Sequence, residues 1–271
     1  MDIAHSDFLF AFGLTVFAGL STGIGSLLSL LTNKTNTKFL SIALGFSAGV
    51  MIYVSMIEIF KKANDALSLE FGVKTGTIVT TLSFFGGMFL IALIDKIIPS
   101  SENPHEAHTV EEMDGNSEHH RNRLKRMGVF TALAIGIHNF PEGLATFAAA
   151  LADPNLGIPI AAAVAIHNIP EGIAVAVPIF YATGSRKRAF KLSFLSGLSE
   201  PAGALIGYLL LFRYFSDITF GIIFAAVAGI MVFISLDELL PSAREYGEHH
   251  LSMYGLVFGM IVMAASLILF L

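Results

Sequence analysis

Apolar residues run almost without interruption through eight stretches of the chain, at 8–31, 39–60, 77–98, 128–151, 158–182, 189–212, 218–240 and 251–271. Each is close to the roughly 20 residues that a helix needs to cross the hydrocarbon core of a bilayer. In that medium the backbone must satisfy its own hydrogen bonds, as a helix does. The pattern predicts an all-α integral membrane protein with eight transmembrane helices, here segments 1 to 8. Segment 3 is the least clean, because Asp95 and Lys96 lie near its end, where they reach the headgroups. Segment 1 follows Asp2 and Asp7 with no basic stretch and is too long for a signal-peptide core, so it reads as a retained spanning helix.

The polar positions fall between these runs. Most connections are short, and the exception is 99–127. It carries Glu102, Glu106, Glu111, Glu112, Asp114 and Glu118, then Arg121, Arg123, Lys125 and Arg126, with almost no large apolar residues. It reads as a solvated, disordered loop. Threading the chain through eight crossings puts twelve of the 16 Lys and Arg residues on the side that holds this loop. Excess positive charge marks the cytoplasmic side, so both termini are expected on the opposite, outer side.

The chain repeats itself. Ala48-Gly49-Val50-Met51-Ile52-Tyr53-Val54-Ser55 aligns with Ala228-Gly229-Ile230-Met231-Val232-Phe233-Ile234-Ser235, and the match continues to Glu58 and Glu238. Gly19-Leu20-Ser21 resembles Gly197-Leu198-Ser199, and Phe85-Gly86 more weakly resembles Phe258-Gly259. Segments 1–3 thus read as duplicated in segments 6–8, with segments 4 and 5 as a pair between them. Copies five helices apart cross the membrane in opposite directions. The expected symmetry is an inverted repeat about an axis in the membrane plane, which transporters use to place a substrate site near the midplane. The competing explanation is convergent use of Gly, Ala and aliphatic residues, which favour helix packing in lipid.

The middle pair carries the chemistry. His138-Asn139-Phe140-Pro141-Glu142-Gly143 recurs as His167-Asn168-Ile169-Pro170-Glu171-Gly172, and each copy sits inside an apolar run. Ionisable groups at that depth are expensive and mark function. His138 and Glu142, four apart, share a helix face with Asn139 one position round; His167, Asn168 and Glu171 repeat this. Pro141 and Pro170 lack the N–H that would bond the carbonyls of Ile137 and Ile166, so each is expected to open its helix beside the histidine. Gly143 and Gly172 allow close helix approach. Two glutamates neutralise a divalent cation. Two imidazoles tilt the preference to zinc or iron over magnesium or calcium, and the amides with a shared carboxylate suit an adjacent second ion. The bland alternative is a pair of proline kinks whose polar groups satisfy each other.

Composition narrows this further. Only 14% of residues are charged, against about 25% in soluble domains, and the net charge of −5 is confined mainly to loops. There is no cysteine, which excludes disulfides and thiolate ligands. HExxH, the zinc-protease pattern, is absent because Asn follows each histidine. Glu200, in Ser199-Glu200-Pro201, is the charge inside segment 6 and the candidate for a further ligand; the alternative is a protonated carboxyl bonded to a neighbouring helix. Glu58, near the outer end of segment 2, and Asp237 and Glu238, near the inner end of segment 7, are candidate entrance and exit carboxylates, or else helix-end charges reaching headgroups. His105, His108, His119 and His120 in the long loop, with His249 and His250, form polar clusters that either bind metal weakly or are solvated.

At these motifs the chain resembles the ZIP family of metal transporters, most closely the bacterial zinc-uptake type. The resemblance rests on 138–143, 167–172, Ala176-Val177-Pro178-Ile179-Phe180-Tyr181-Ala182-Thr183-Gly184-Ser185-Arg186-Lys187 and Ser196-Gly197-Leu198-Ser199-Glu200-Pro201. It covers essentially all eight segments. It implies one transmembrane domain over 1–271 in a 3+2+3 inverted-repeat arrangement, with a binuclear centre between segments 4 and 5. It carries metal ligands onto His138, Asn139, Glu142, His167, Asn168, Glu171 and Glu200. The expected function is uptake of divalent metal ions, chiefly Zn2+ with Fe2+, Mn2+ or Co2+ as further substrates, across a bacterial inner membrane. The metal is cargo and no cofactor is expected. The partners are divalent ions and the lipid bilayer, with a homodimer left open and no nucleic acid. An exporter would use the same ligands; an intramembrane metalloenzyme would need an open coordination position and a general base.

Overall fold

The computed structural model describes residues 5–31, 37–97, 118–211, 216–245 and 249–269. All regular structure among them is helical. Helices α1 (His5–Leu30) and α2 (Thr37–Tyr53) come first. A π-helical turn at Val54–Ile59 then runs directly into α3 (Phe60–Phe71), and α4 (Val73–Ile97) follows. The central pair is α5 (Glu118–Ala152) and α6 (Pro154–Thr183). Next are α7 (Arg186–Gly197), α8 (Ser199–Leu211) and α9 (Asp217–Ile234). A second π-helical turn at Ser235–Leu239 leads into α10 (Leu240–Glu245), and α11 (His249–Leu269) closes the fold.

Six helical stretches among the described residues are long and apolar enough to cross a membrane: His5–Leu30, Ser41–Phe71, Val73–Lys96, Gly157–Thr183, Asp217–Arg244 and His250–Leu269. They cover segments 1, 2, 3, 5, 7 and 8, and segment 4 is the apolar part of α5. Segment 6 was expected as one helix and is divided instead. Pro201 has no N–H for the Gly197 carbonyl, and the regular helix is interrupted at Leu198, between α7 and α8. By contrast, α5 and α6 run on as helices through Pro141 and Pro170, although neither proline can donate to the Ile137 or Ile166 carbonyl.

Two helices outrun their apolar segments. The helix after segment 2 continues to Phe71 because Ala63 and Leu67 keep one face buried while Lys61, Asp65 and Glu70 face out. The stretch 99–127 was expected to be a disordered loop, but α5 begins at Glu118. Its Glu, Arg, Lys, Leu and Met residues are good helix formers whether or not they are buried. Residues 98–117, with His105 and His108, lie outside the described residues.

The connections have local causes. Asp153 caps α6 by accepting from the Asn155 N–H at 2.9 Å, and Pro154 supplies a preset first turn. Gly184 ends α6 in the left-handed region at φ 64°, and Ser185 then caps α7 by accepting from the Arg188 N–H. These two short links hold α5, α6 and α7 as neighbours. In the bundle, α6 packs against both α1 and α5, α5 also packs against α8, α2 packs against α11, and α4 packs against α9. Burial follows: 67% of the apolar window of α6 is buried, against 22% for α4 and 28% for α11. The outer helices turn Leu82, Phe89, Leu93 and Ile268 outward.

Backbones touch where glycine leaves room, and the contacts come in pairs. Gly49 lies against the Leu256 carbonyl and Gly229 against the Phe84 carbonyl; Gly259 lies against the Phe46 carbonyl and Gly87 against the Ala226 carbonyl. Within each pair, adding 180 to the α2 residue and 172 to the α4 residue gives the other contact. This pairs Gly259 with Gly87, one residue away from the Gly86 that sequence alignment selects. A second set joins the centre. Gly172 lies against the Thr22 carbonyl and Gly143 against the Glu200 carbonyl; Gly25 lies against the Ile169 carbonyl and Gly203 against the Phe140 carbonyl. Gly19 and Gly197 each abut the other's carbonyl. Here the shifts are 178 residues from α1 to α7 and α8, and 29 from α5 to α6.

Neighbouring glycines in α4 separate packing from helix propensity. A Cβ at Gly87 would collide with the α9 backbone, whereas a Cβ at Gly86 meets nothing within 4 Å. Gly87→Ala should destabilise the purified protein by about 1–3 kcal/mol. Gly86→Ala should leave it unchanged or stabilise it by up to about 1 kcal/mol. Thermal unfolding in detergent compares the two, and equal effects would refute the backbone contact.

Candidate metal centre

The motif residues converge where α5, α6 and α8 meet. Asn139, Glu142, His167, Asn168, Glu171 and Glu200 are all buried. Helix α5 also carries His138, whose side chain lies outside the described residues. His167 is the hub of one group: its Nε2 stands 3.1 Å from Glu142 Oε2 across the α5/α6 contact and 3.9 Å from Glu171 Oε1 one turn along its own helix. The four-residue spacing therefore does place His167 and Glu171 on one face.

Asn168 anchors the second group. Its Nδ2 donates to the Ala18 carbonyl of α1 at 2.9 Å and to Glu200 Oε1 of α8. The two groups adjoin, since Asn168 follows His167 in the chain and Gly143, next to Glu142, lies against the Glu200 carbonyl. Glu200 is within electrostatic reach of both Glu142 and Glu171. The Ala18 carbonyl is a partner that the motif did not reveal; the Gly19-Leu20-Ser21 repeat was the sequence signal pointing to that part of α1.

Charge decides what such a place can do. Two carboxylates meet at one imidazole and a third adjoins them through Asn168, and among the described residues no Lys or Arg is buried. Glu142 Oε1, Asn168 Oδ1 and Glu200 Oε2 are buried acceptor atoms with no hydrogen-bond donor. Leaving an acceptor in that condition costs about 1–3 kcal/mol, and more when it is charged. Oxygen acceptors with an imidazole nitrogen form a donor set for a divalent transition-metal ion. Among the described residues no three His, Asp, Glu or Cys side chains form a ready metal cage.

The other candidates lie elsewhere. Glu58 sits in the first π turn, partly buried, with Lys62 Nζ 3.9 Å from its Oε1. Asp237 and Glu238 sit in the second π turn, where Asp237 is exposed and Glu238 buried. His250 is exposed and stacks with Tyr254. The side chains of His119, His120 and His249 lie outside the described residues.

The chain is similar to known proteins over nearly its whole length. The family model described as "ZIP Zinc transporter" matches residues 6–267. The chain is 65% identical over 264 residues to the zinc transporter ZupT of Chlorobium chlorochromatii, covering 97% of this chain and 98% of that protein. It is 66% identical over 262 residues to the protein of the same name from Lysinibacillus sphaericus, covering 96% and 97%. With that of Clostridium perfringens it shares 60% over 277 residues, covering 98% and 97%.

The Asn168 junction can be tested without metal. Asn168→Leu keeps similar bulk but removes the donor to both Ala18 and Glu200. It should lower stability by roughly 1–3 kcal/mol for the stranded Glu200 oxygen, since the Ala18 carbonyl still accepts from the Ser21 hydroxyl at 2.6 Å, and this is read as a fall in the unfolding midpoint in detergent. An unchanged midpoint would mean that the junction does not hold α1, α6 and α8 together.

Proposed function

The chain belongs to the ZIP zinc-transporter family and is a multi-pass membrane transporter, not an enzyme; on that footing we propose that it takes up divalent transition-metal ions, chiefly Zn2+, into the cytoplasm of a bacterium. The observation that carries the reading is the buried cluster of Glu142, His167, Glu171, Asn168 and Glu200, with no Lys or Arg buried among the described residues. Its missing positive charge is the cargo. Fe2+, Mn2+ and Co2+ are further substrates on this reading, because nitrogen and oxygen ligands discriminate poorly among these ions. The membrane is the inner membrane, with both termini periplasmic.

The proposed architecture is one domain of eight crossings in a 3+2+3 inverted repeat. The paired glycine contacts support it, because the same two shifts relate contacts made by different helices. A hydrated ion enters past Glu58 and sheds water onto His167, Glu142 and Glu171. Asn139, Asn168 and Glu200 complete an adjoining site, with His138 as a further ligand. Movement of α2 and α9 relative to the α5/α6 pair then opens the site inward, past Asp237 and Glu238. Such alternating access works by shifting one repeat element around a fixed site.

The test is uptake of radiolabelled zinc into proteoliposomes, wild type beside Glu142→Ala and Glu171→Ala, with unlabelled iron and manganese as competitors. Wild type should show saturable uptake, and each variant should lose at least about tenfold in rate at limiting zinc. Full activity in both variants would sink the scheme. Outward movement of preloaded zinc without uptake would favour an exporter built on the same ligands.

A further inference from the structure

The paired contacts identify a counterpart for every residue of the centre. The 29-residue shift carries Asn139, Glu142 and Gly143 onto Asn168, Glu171 and Gly172, identical residues in each case. The 178-residue shift carries Gly19 onto Gly197 and Gly25 onto Gly203, again identical. Under that shift Thr22 falls on Glu200. The backbone confirms the pairing independently: Gly143 lies against the Glu200 carbonyl, and Gly172 against the Thr22 carbonyl. The repeat is thus broken at a ligand position, with a carboxylate on α8 and a hydroxyl on α1.

The Thr22 hydroxyl is not returned to its own helix, a state it shares with the buried Thr146 of α5. Thr15 and Thr80 return their hydroxyls to the carbonyl four residues back, at 3.0 and 2.8 Å, which is the usual local solution. Thr22 is fully buried, and its Oγ1 has no hydrogen-bond partner. The Thr22 side chain abuts α7, since a Cβ added at Gly197 would lie 2.8 Å from both its Cβ and its Oγ1. Gly197 is one turn ahead of Glu200, and Gly172, against the Thr22 carbonyl, directly follows Glu171. A buried hydroxyl without a partner, next to a ligand position of the repeat, calls for an explanation.

We propose that Thr22 is the counterpart of Glu200 and supplies a neutral oxygen to the second half of the metal centre. The inference rests on the metal-centre reading above. It makes the two halves unequal: the α8 side offers a carboxylate and the α1 side an uncharged oxygen. An ion on the Thr22 side is held less tightly and leaves first.

Because the chain has no cysteine, one introduced thiol reports its own surroundings. In the full-length protein, Thr22→Cys should give a cobalt–thiolate charge-transfer band on addition of Co2+. Glu200→Cys should give one too, and Gly13→Cys, which faces open space, should not. A band from Glu200→Cys but none from Thr22→Cys overturns this proposal and leaves the metal centre standing. No band from either, with no Co2+ bound by wild type, overturns the metal centre and this proposal with it.

Two gentler variants distinguish an oxygen from a packing role. Thr22→Ser keeps the hydroxyl and drops the methyl; Thr22→Val keeps the shape and drops the oxygen. Zinc affinity should hold in Thr22→Ser and fall about tenfold in Thr22→Val. The reverse order, or equal affinity in both, overturns the proposal.

Discussion

Three carboxylates held in the middle of an apolar bundle, with one imidazole beside them and no Lys or Arg buried among the described residues, set the terms for the rest of the structure. Removing an ion from water costs several kcal/mol even after the surroundings relax. Hydrogen bonds from Asn168 and His167 offset part of that cost, but Glu142 Oε1 and Glu200 Oε2 are left without donors. A bundle that tolerates such a centre must exclude water and keep the helices from separating. Both requirements call for small residues. The backbones of α1, α6, α5 and α8 meet at Gly25, Gly172, Gly143 and Gly203, with no side chain between them. In a bilayer such packing replaces the hydrophobic force that drives soluble helices together.

The same contacts show where the two halves diverge. Gly23 in α1 falls on Pro201 under the 178-residue shift. Gly23 keeps its N–H and α1 is continuous; Pro201 has none, and the equivalent helix is interrupted into α7 and α8. The interruption stands directly ahead of Glu200, so the break and the extra carboxylate occur together on one side. Broken backbone within a bilayer is tolerated where protein buries it, and Ser196, Gly197 and Glu200 are buried. Pro141 and Pro170 occupy equivalent positions in α5 and α6, and both helices run through them. A proline alone therefore does not end a helix.

Much of the molecule could be read from its apolar runs and its repeats. Hydrocarbon imposes a length on each helix, so the apolar segments fall on helical stretches, but segment 6 is divided at Leu198 and the helices of segments 2 and 4 run well beyond their apolar parts. The four-residue spacing in the second His-Asn-x-Pro-Glu-Gly motif puts His167 and Glu171 on one helix face, and the contact between α5 and α6 brings Glu142 to them. The features that eluded sequence reasoning do not depend on hydrophobicity. Residues 118–127 are helical although polar, because helix formation needs propensity and not burial. The Ala18 carbonyl bonds Asn168, and every residue has a carbonyl. The Gly87 register differs by one from the apparent alignment because adjacent glycines are indistinguishable in sequence but not in contact.

The π turns are the clearest case of a feature hidden from periodicity. In α2 and its continuation, Met51, Ser55, Ile59, Ala63 and Leu67 are all buried, four residues apart throughout. On an ideal α-helix such a stripe drifts by about 160° over those 16 residues, at 100° per residue. It could not stay on one face. A π turn takes up an extra residue and so removes about 100° of the drift; it lies at Val54–Ile59, within the stripe. The other copy does the same, with Met231, Ser235, Leu239 and Ala243 buried at intervals of four and its π turn at Ser235–Leu239. Each member of the second set is 180 residues beyond its counterpart, the shift that also relates the glycine contacts. The widened turns are therefore dictated by the spacing of buried residues, and the spacing is inherited with the repeat. They place Glu58 in one copy and Glu238 in the other at the same point of the turn, one partly exposed beside Lys62 and the other buried.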